Sequence, residues 1–188
     1  MDSKTTQILG YVAIAIIIVS LINIGVKLTG HVTDTATLNV TIEESVVIDF
    51  TTDFIDFGSG RVDEGELNAV IDTSDGSVVR GNWTNDTWSR FVLENIGNQN
   101  VTLNLSSGKD ASQLLGGTGP LYQFKVENKD SNACTAGAGI GSLGSWTNMS
   151  KTDLTICNPL QFYTDRNEIY IDIKLTIPSD SFTGEQTD

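Results

Sequence analysis

Residues 169–178 read IYIDIKLTIP, and in them Ile169, Ile171, Ile173, Leu175 and Ile177 alternate without a break with Tyr170, Asp172, Lys174 and Thr176. A period of two puts every apolar side chain on one face of an extended strand, whereas the same spacing on a helix would scatter them around its axis. The stretch is therefore a strand with one buried face. Pro178, which cannot donate to a ladder, marks its end.

Working outward, the same pattern recurs at Val101, Leu103 and Leu105, set against Asn100, Thr102 and Asn104. Shorter runs lie at Val46-Ile48-Phe50, Phe54 to Phe57, Leu67 to Ile71, Phe91 to Leu93 and Tyr122-Phe124-Val126. Ahead of them, Ala36, Leu38, Val40 and Ile42 alternate with Thr37, Asn39, Thr41 and Glu43. Turn-forming groups such as Gly58-Ser59-Gly60, Ser74-Asp75-Gly76, Asn95-Ile96-Gly97-Asn98 and Pro178-Ser179-Asp180 separate the runs. Composition agrees: 22 Thr, 14 Asn and 18 Gly against 3 Pro is strand-and-turn chemistry. The expected fold is all-β, an Ig-like or jelly-roll-type β-sandwich over residues 36–188, a size suited to one core.

The N-terminus is of another kind. Ile8 to Val26 is 19 residues without a charge, closed by Lys27. At about 1.5 Å per residue it reaches across a hydrocarbon core of about 30 Å. A cleaved signal peptide is the competing reading, but its apolar region is shorter, about 7–15 residues, and the first candidate cleavage site, Leu28-Thr29-Gly30, has Leu where a small residue is wanted. The expected layout is a short cytoplasmic tail (1–7), a single transmembrane helix (8–27), a linker (28–35) and an extracellular domain (36–188). Six Asn-x-Ser/Thr sequons, at Asn39, Asn82, Asn85, Asn100, Asn104 and Asn148, all follow the apolar run and place the domain outside, where glycans are added. Asn39, Asn100 and Asn104 fall on the polar phase of their strands, as a glycan requires.

Cys134 and Cys157 lie in that outer segment and are expected to form a disulfide. A metal site is the alternative, but no Cys-x-x-Cys is present and the one histidine, His31, is remote. Net charge is −13 with only 11 Lys and Arg, so there is no basic surface for nucleic acid. Catalytic constellations are missing: hydrolysis of the Ser-His-Asp kind needs a histidine inside the domain. Gly139-x-Gly141-x-x-Gly144 matches a dinucleotide fingerprint in spacing but lacks the flanking strand and helix, and reads as a flexible surface loop. The carboxylates at Asp49, Asp53 and Asp56 and at Asp63, Glu64 and Glu66 read as solvated turns, with calcium or glycoside chemistry as the alternative. No enzyme, cofactor or metal centre is expected.

Four phrases, ATLNVTIEESVVIDF, IDFGSG, FVLENIGNQNVTLNLSS and IYIDIKLTIPSDSFTGE, resemble a group of membrane-anchored or secreted β-sandwich surface proteins of archaea. They are also distantly similar to the camelysin and biofilm-fibre family, which includes subunits of extracellular filaments. The likeness covers most of residues 36–184. It implies a structural or adhesive role, with polymerisation in some members by donation of a strand to the next subunit. Such subunits usually lose a signal peptide, whereas the apolar run here is long enough to be retained. In similar domains a final strand follows the IPxD turn, and this sequence carries none after Gly184. An open edge is then expected beside Ile169 to Ile177, with Ile171 and Ile173 on its apolar face, and Thr35 to Glu43 of another molecule is expected to add there through Leu38, Val40 and Ile42. Packing of N-terminal helices through Gly10, Ala13, Ser20, Asn23 and Lys27 is a second route to a polymer. The expected function is a cell-surface structural protein that self-associates into a pilus-like filament or coat; a stand-alone anchored adhesin is the alternative.

Overall fold

A computed structural model describes residues 40–83, 88–137 and 139–188. The run Ile8 to Val26 and the residues Leu38, Asn39 and Asn85 lie outside the described residues. No helix among the described residues is long and apolar enough to cross a membrane. Glu43 to Asp188 forms one compact unit.

Among the described residues the fold is all-β, with one short helix. Its strands are β1 (Ile48–Thr52), β2 (Asn68–Asp72), β3 (Ser77–Val79), β4 (Phe91–Asn95), β5 (Val101–Leu105), β6 (Leu121–Asn128), β7 (Thr147–Asn148), β8 (Leu154–Leu160) and β9 (Glu168–Pro178), with α1 (Ala111–Leu115) between β5 and β6. Seven strands form one antiparallel sheet in which β9 is the hub: β6 pairs along one side of it, and β4 and β2 share the other. β1 extends β4, β3 extends β2, and β7 extends β6. β5 and β8 make a separate two-stranded sheet.

The alternation of β9 sets this arrangement. Ile169, Ile171, Ile173, Leu175 and Ile177 are buried, and they share one core with Ile71, Leu93, Phe124 and Val126 of the large sheet, Leu103, Ile156 and Leu160 of the small sheet, and Leu114 and Leu115 of α1. Fully burying each large aliphatic or aromatic side chain stabilises by about 1.5–3 kcal/mol before ordering costs. Asn95, fully buried, ties the layers together by donating to the Gln99 and Leu160 carbonyls at 2.8 and 3.4 Å. A capping box starts α1: the Asp110 carboxylate accepts from the Gln113 amide (2.8 Å), and the Gln113 side chain accepts from the Asp110 amide (3.2 Å).

Three expectations need correction. No sheet edge lies beside Ile169 to Ile177, because β9 has a partner on both sides over most of its length. Phe54 to Phe57 is not a strand; Phe57 instead packs edge-on against Trp88, with ring centroids 5.6 Å apart. The glycine-rich segment is pinned rather than loose: the Gly139 amide donates to the Thr155 carbonyl and the Gly144 amide to the Val126 carbonyl, both at 2.8 Å, while Ile140 enters the core. A Cβ at Gly139 would lie 2.9 Å from the Thr155 backbone, so close approach explains the glycine.

Candidate functional site

Two strands cannot cover seven. Where β5 and β8 stop short, the core face of the large sheet opens into a groove of about 300 Å³. Its floor is Ile171 and Ile173 of β9, its walls are Phe50 of β1, Phe91 of β4, Tyr122 of β6 and Leu105 of β5, and Met149 closes one side. Phe50 meets Phe91 edge to face at 6.0 Å between centroids, yet remains 43% exposed. The two residues expected at an assembly surface, Ile171 and Ile173, thus reach the site through their side chains from the centre of the sheet.

Unpaired backbone borders the groove. β1 pairs with β4 alone and β5 with β8 alone among the described residues, so each offers one open edge. The far side of β8 is taken: the Gly139 and Asn158 amides donate across to Thr155 and Ala136, and Cys134 bridges to Leu160. An open apolar edge invites another strand. Ahead of β1, the Asn98 side chain clasps the chain, donating to the Glu43 carbonyl (2.9 Å) and accepting from the Ser45 amide (2.8 Å). Beyond that clasp Val40 and Ile42 are 67% and 82% exposed and in no strand.

Polar groups rim the mouth: Asp53, Ser106, Ser107 and Asp188. Tyr122 and Asp188 both line the groove; burial first, and then the neighbouring Asp188 carboxylate, push the Tyr122 hydroxyl well above the ordinary phenol range. Of the other carboxylates, Asp49 lies in strand β1 and not in a turn; Asp56 accepts from the Gly58 amide at 2.7 Å, and the Glu66 amide donates to the Asp63 carbonyl at 3.1 Å. Among the described residues no three His, Cys, Asp or Glu side chains are placed to hold a metal ion together.

Cys134 and Cys157 form the disulfide, with Cα atoms 5.7 Å apart. It joins the segment after β6 to β8. In the chain-entropy model, closing a loop of this length stabilises by about 3 kcal/mol. Both thiols should therefore resist alkylation until a reductant is added, and reduction should lower the unfolding free energy by about that amount while the hydrogen bonds at Gly139 and Gly144 keep the segment in place. Alkylation of the native protein without reductant contradicts this.

Of the sequon asparagines, Asn82, Asn100, Asn104 and Asn148 are described, and all four are exposed. On β5, Thr102 and Asn104 face outward while Val101 and Leu103 are buried.

The opposite face of β9 carries a charge network that periodicity marks only as polar. Asp172 is fully buried; Arg90 grips it twice, at 2.6 and 2.5 Å, and also holds Glu127 at 2.6 Å. Lys125 bonds Glu127 at 2.9 Å, and Lys174 bonds Asp72 at 3.0 Å. Aromatic rings cover the cations: Arg90 lies 3.8 Å from the Tyr170 centroid, and Lys174 and Lys125 lie 3.9 and 5.1 Å from that of Trp146. Burial works against the Arg90 charge, but its bonds to Asp172 and Glu127 outweigh it and raise its pKa. Lys125, and then Arg90, hold the Glu127 carboxyl below the ordinary range. A carboxyl depressed in the folded state adds stability above its unfolded pKa and loses it as pH falls through the folded one. Glu127→Gln should therefore flatten the loss of stability below about pH 4.3, the unperturbed glutamate pKa, in an acid titration followed by circular dichroism; an unchanged acid limb contradicts this.

Comparison with known protein families, with characterised proteins and with solved structures finds no match.

Proposed function

We propose that this protein is a structural component of the cell surface, an Ig-like or jelly-roll-type β-sandwich held by an N-terminal transmembrane helix and assembling with copies of itself into a filament or coat. The observation that carries the reading is the groove: an apolar cleft opening into the core, bordered by the open edges of β1 and β5. An isolated monomer gains nothing from leaving Phe50, Phe91 and Leu105 at such an opening.

The occupant is the segment Thr35 to Glu43 of a second molecule. Its alternation matches what a strand at this site needs, with Leu38, Val40 and Ile42 pointing into the groove and Asn39 and Thr41 outward. Three apolar side chains at about 1.5–3 kcal/mol each supply several kcal/mol before the ordering of the segment is subtracted. Asn100 and Asn104 stand outside the groove floor, and glycans there leave it open. Negative-stain microscopy of purified surface fractions is the test. Ordered polymers of the full-length chain are expected; dispersed monomers favour an anchored adhesin instead.

A further inference from the structure

We propose that residues 182–188 are a displaceable strap across the mouth of the groove, which must release before a strand from a neighbouring molecule is admitted. The proposal rests on the strand-addition reading above and adds its control.

The strap is fixed at two points. At one, the Phe182 amide donates to the Leu115 carbonyl at 2.8 Å and its ring lies on Gly116, where a Cβ would come within 2.6 Å of it. At the other, the Lys109 ammonium donates to the Thr187 carbonyl, and Asp188 sits against Gly108, where a Cβ would come 3.0 Å from its Oδ1. There Asp188 lines the groove beside Ser107 and Gly108, the backbone that continues from β5. Between these points Thr183 to Gln186 are exposed and make no hydrogen bond among the described residues.

A strand running along the open edge of β5 past Leu105 needs the space Asp188 fills. Were Asp188 to stay, the incoming apolar chain would shut its carboxylate away from water, which is unfavourable without a cationic partner. The strap must therefore move. Its second anchor is built to let go: one exposed lysine bond to a carbonyl, with little apolar burial between the two fixed points, describes a segment of low local stability. Leaving Phe182 in place, residues 183–188 can swing away without disturbing the core.

The test compares the full-length protein in detergent, kept dilute enough to remain monomeric, with Lys109→Ala/Asp188→Ala. Two probes are added: 8-anilinonaphthalene-1-sulfonate, whose fluorescence reports access to apolar surface, and a fluorescein-labelled synthetic peptide of residues 35–43. The double variant is expected to raise dye fluorescence several-fold and to bind the peptide about tenfold more tightly, with an unchanged circular dichroism spectrum. Lys109→Arg, which keeps a donor for the Thr187 carbonyl, is expected to match wild type in both readouts and so guards against loosening of the fold. Equal dye fluorescence in wild type and double variant overturns the strap, whatever the peptide does. If dye access rises and the peptide binds neither protein, the strap stands and strand addition falls.

Discussion

Val40→Asp is expected to abolish the proposed high-mass assemblies while leaving the monomer folded. Val40 is 67% exposed and lies ahead of the unit that begins at Glu43, so its replacement removes nothing from the core of its own molecule. In the proposed complex the same position would enter the neighbour's groove, whose lining includes Phe50, Phe91 and Leu105. A carboxylate there loses the apolar contribution of valine, about 1.5–3 kcal/mol, and adds a desolvation cost of several kcal/mol. Asp53 at the rim makes the site worse for a negative charge. Since each 1.4 kcal/mol is a factor of ten in association, a loss of at least about three orders of magnitude is expected. Gel filtration of the solubilised protein reads it, with circular dichroism showing the monomer intact. A folded Val40→Asp protein that assembles like wild type rules out this segment as the added strand.

Arg90→Ala is expected to produce the largest loss of stability of any substitution outside the apolar core, about 3–5 kcal/mol, because it strands a fully buried Asp172 carboxylate. Lys125, 3.8 Å from that carboxylate, softens the loss without replacing two bonds at 2.6 and 2.5 Å. Arg90→Lys should recover only part of it, since an ammonium cannot grip both oxygens in the plane. Replacing both partners, Arg90→Met with Asp172→Leu, should come close to wild type, because the contribution of a buried pair is set largely against the cost of desolvating it. Urea unfolding measures all three. A single substitution costing less than about 1 kcal/mol contradicts the assignment of this network as a fixed structural clasp.

The strands with unbroken alternation were legible in the sequence, and those governed by tertiary context were not. β9, β5, β6, β4 and β2 lie where their apolar runs predict, because those runs supply the core. β8 escaped notice: Leu154 to Leu160 places Ile156 and Cys157 side by side in the core, carries Pro159, and pairs with β5 through shifted register, so no period of two survives. β3 and β7 are too short to carry a pattern. Phe54 alternates like a strand residue but sits 70% exposed, since alternation cannot tell whether a partner is present.

Ile171 and Ile173 lie at the bottom of the groove but are 2% and 5% exposed, and no free edge lies beside them, because the longest, most regular strand attracts partners on both sides. The sequence held a signal for the true rim: β1, with Asp49 inside it and Asp53 directly after it, reads as an edge strand. The buried pairing of Arg90 with Asp172 had no such signal, because 82 positions separate them and each alone looks like a solvated charge.

Electron cryo-microscopy of the assembled polymer tests the central claim most directly. Strand addition predicts continuous density for residues 35–43 of one subunit in the groove of the next, with Val40 among Phe50, Phe91 and Leu105, backbone paired to β1 or β5, and residues 183–188 displaced from the groove mouth. Subunits joined only through their N-terminal helices, with the groove empty and Asp188 still against Gly108, would contradict it.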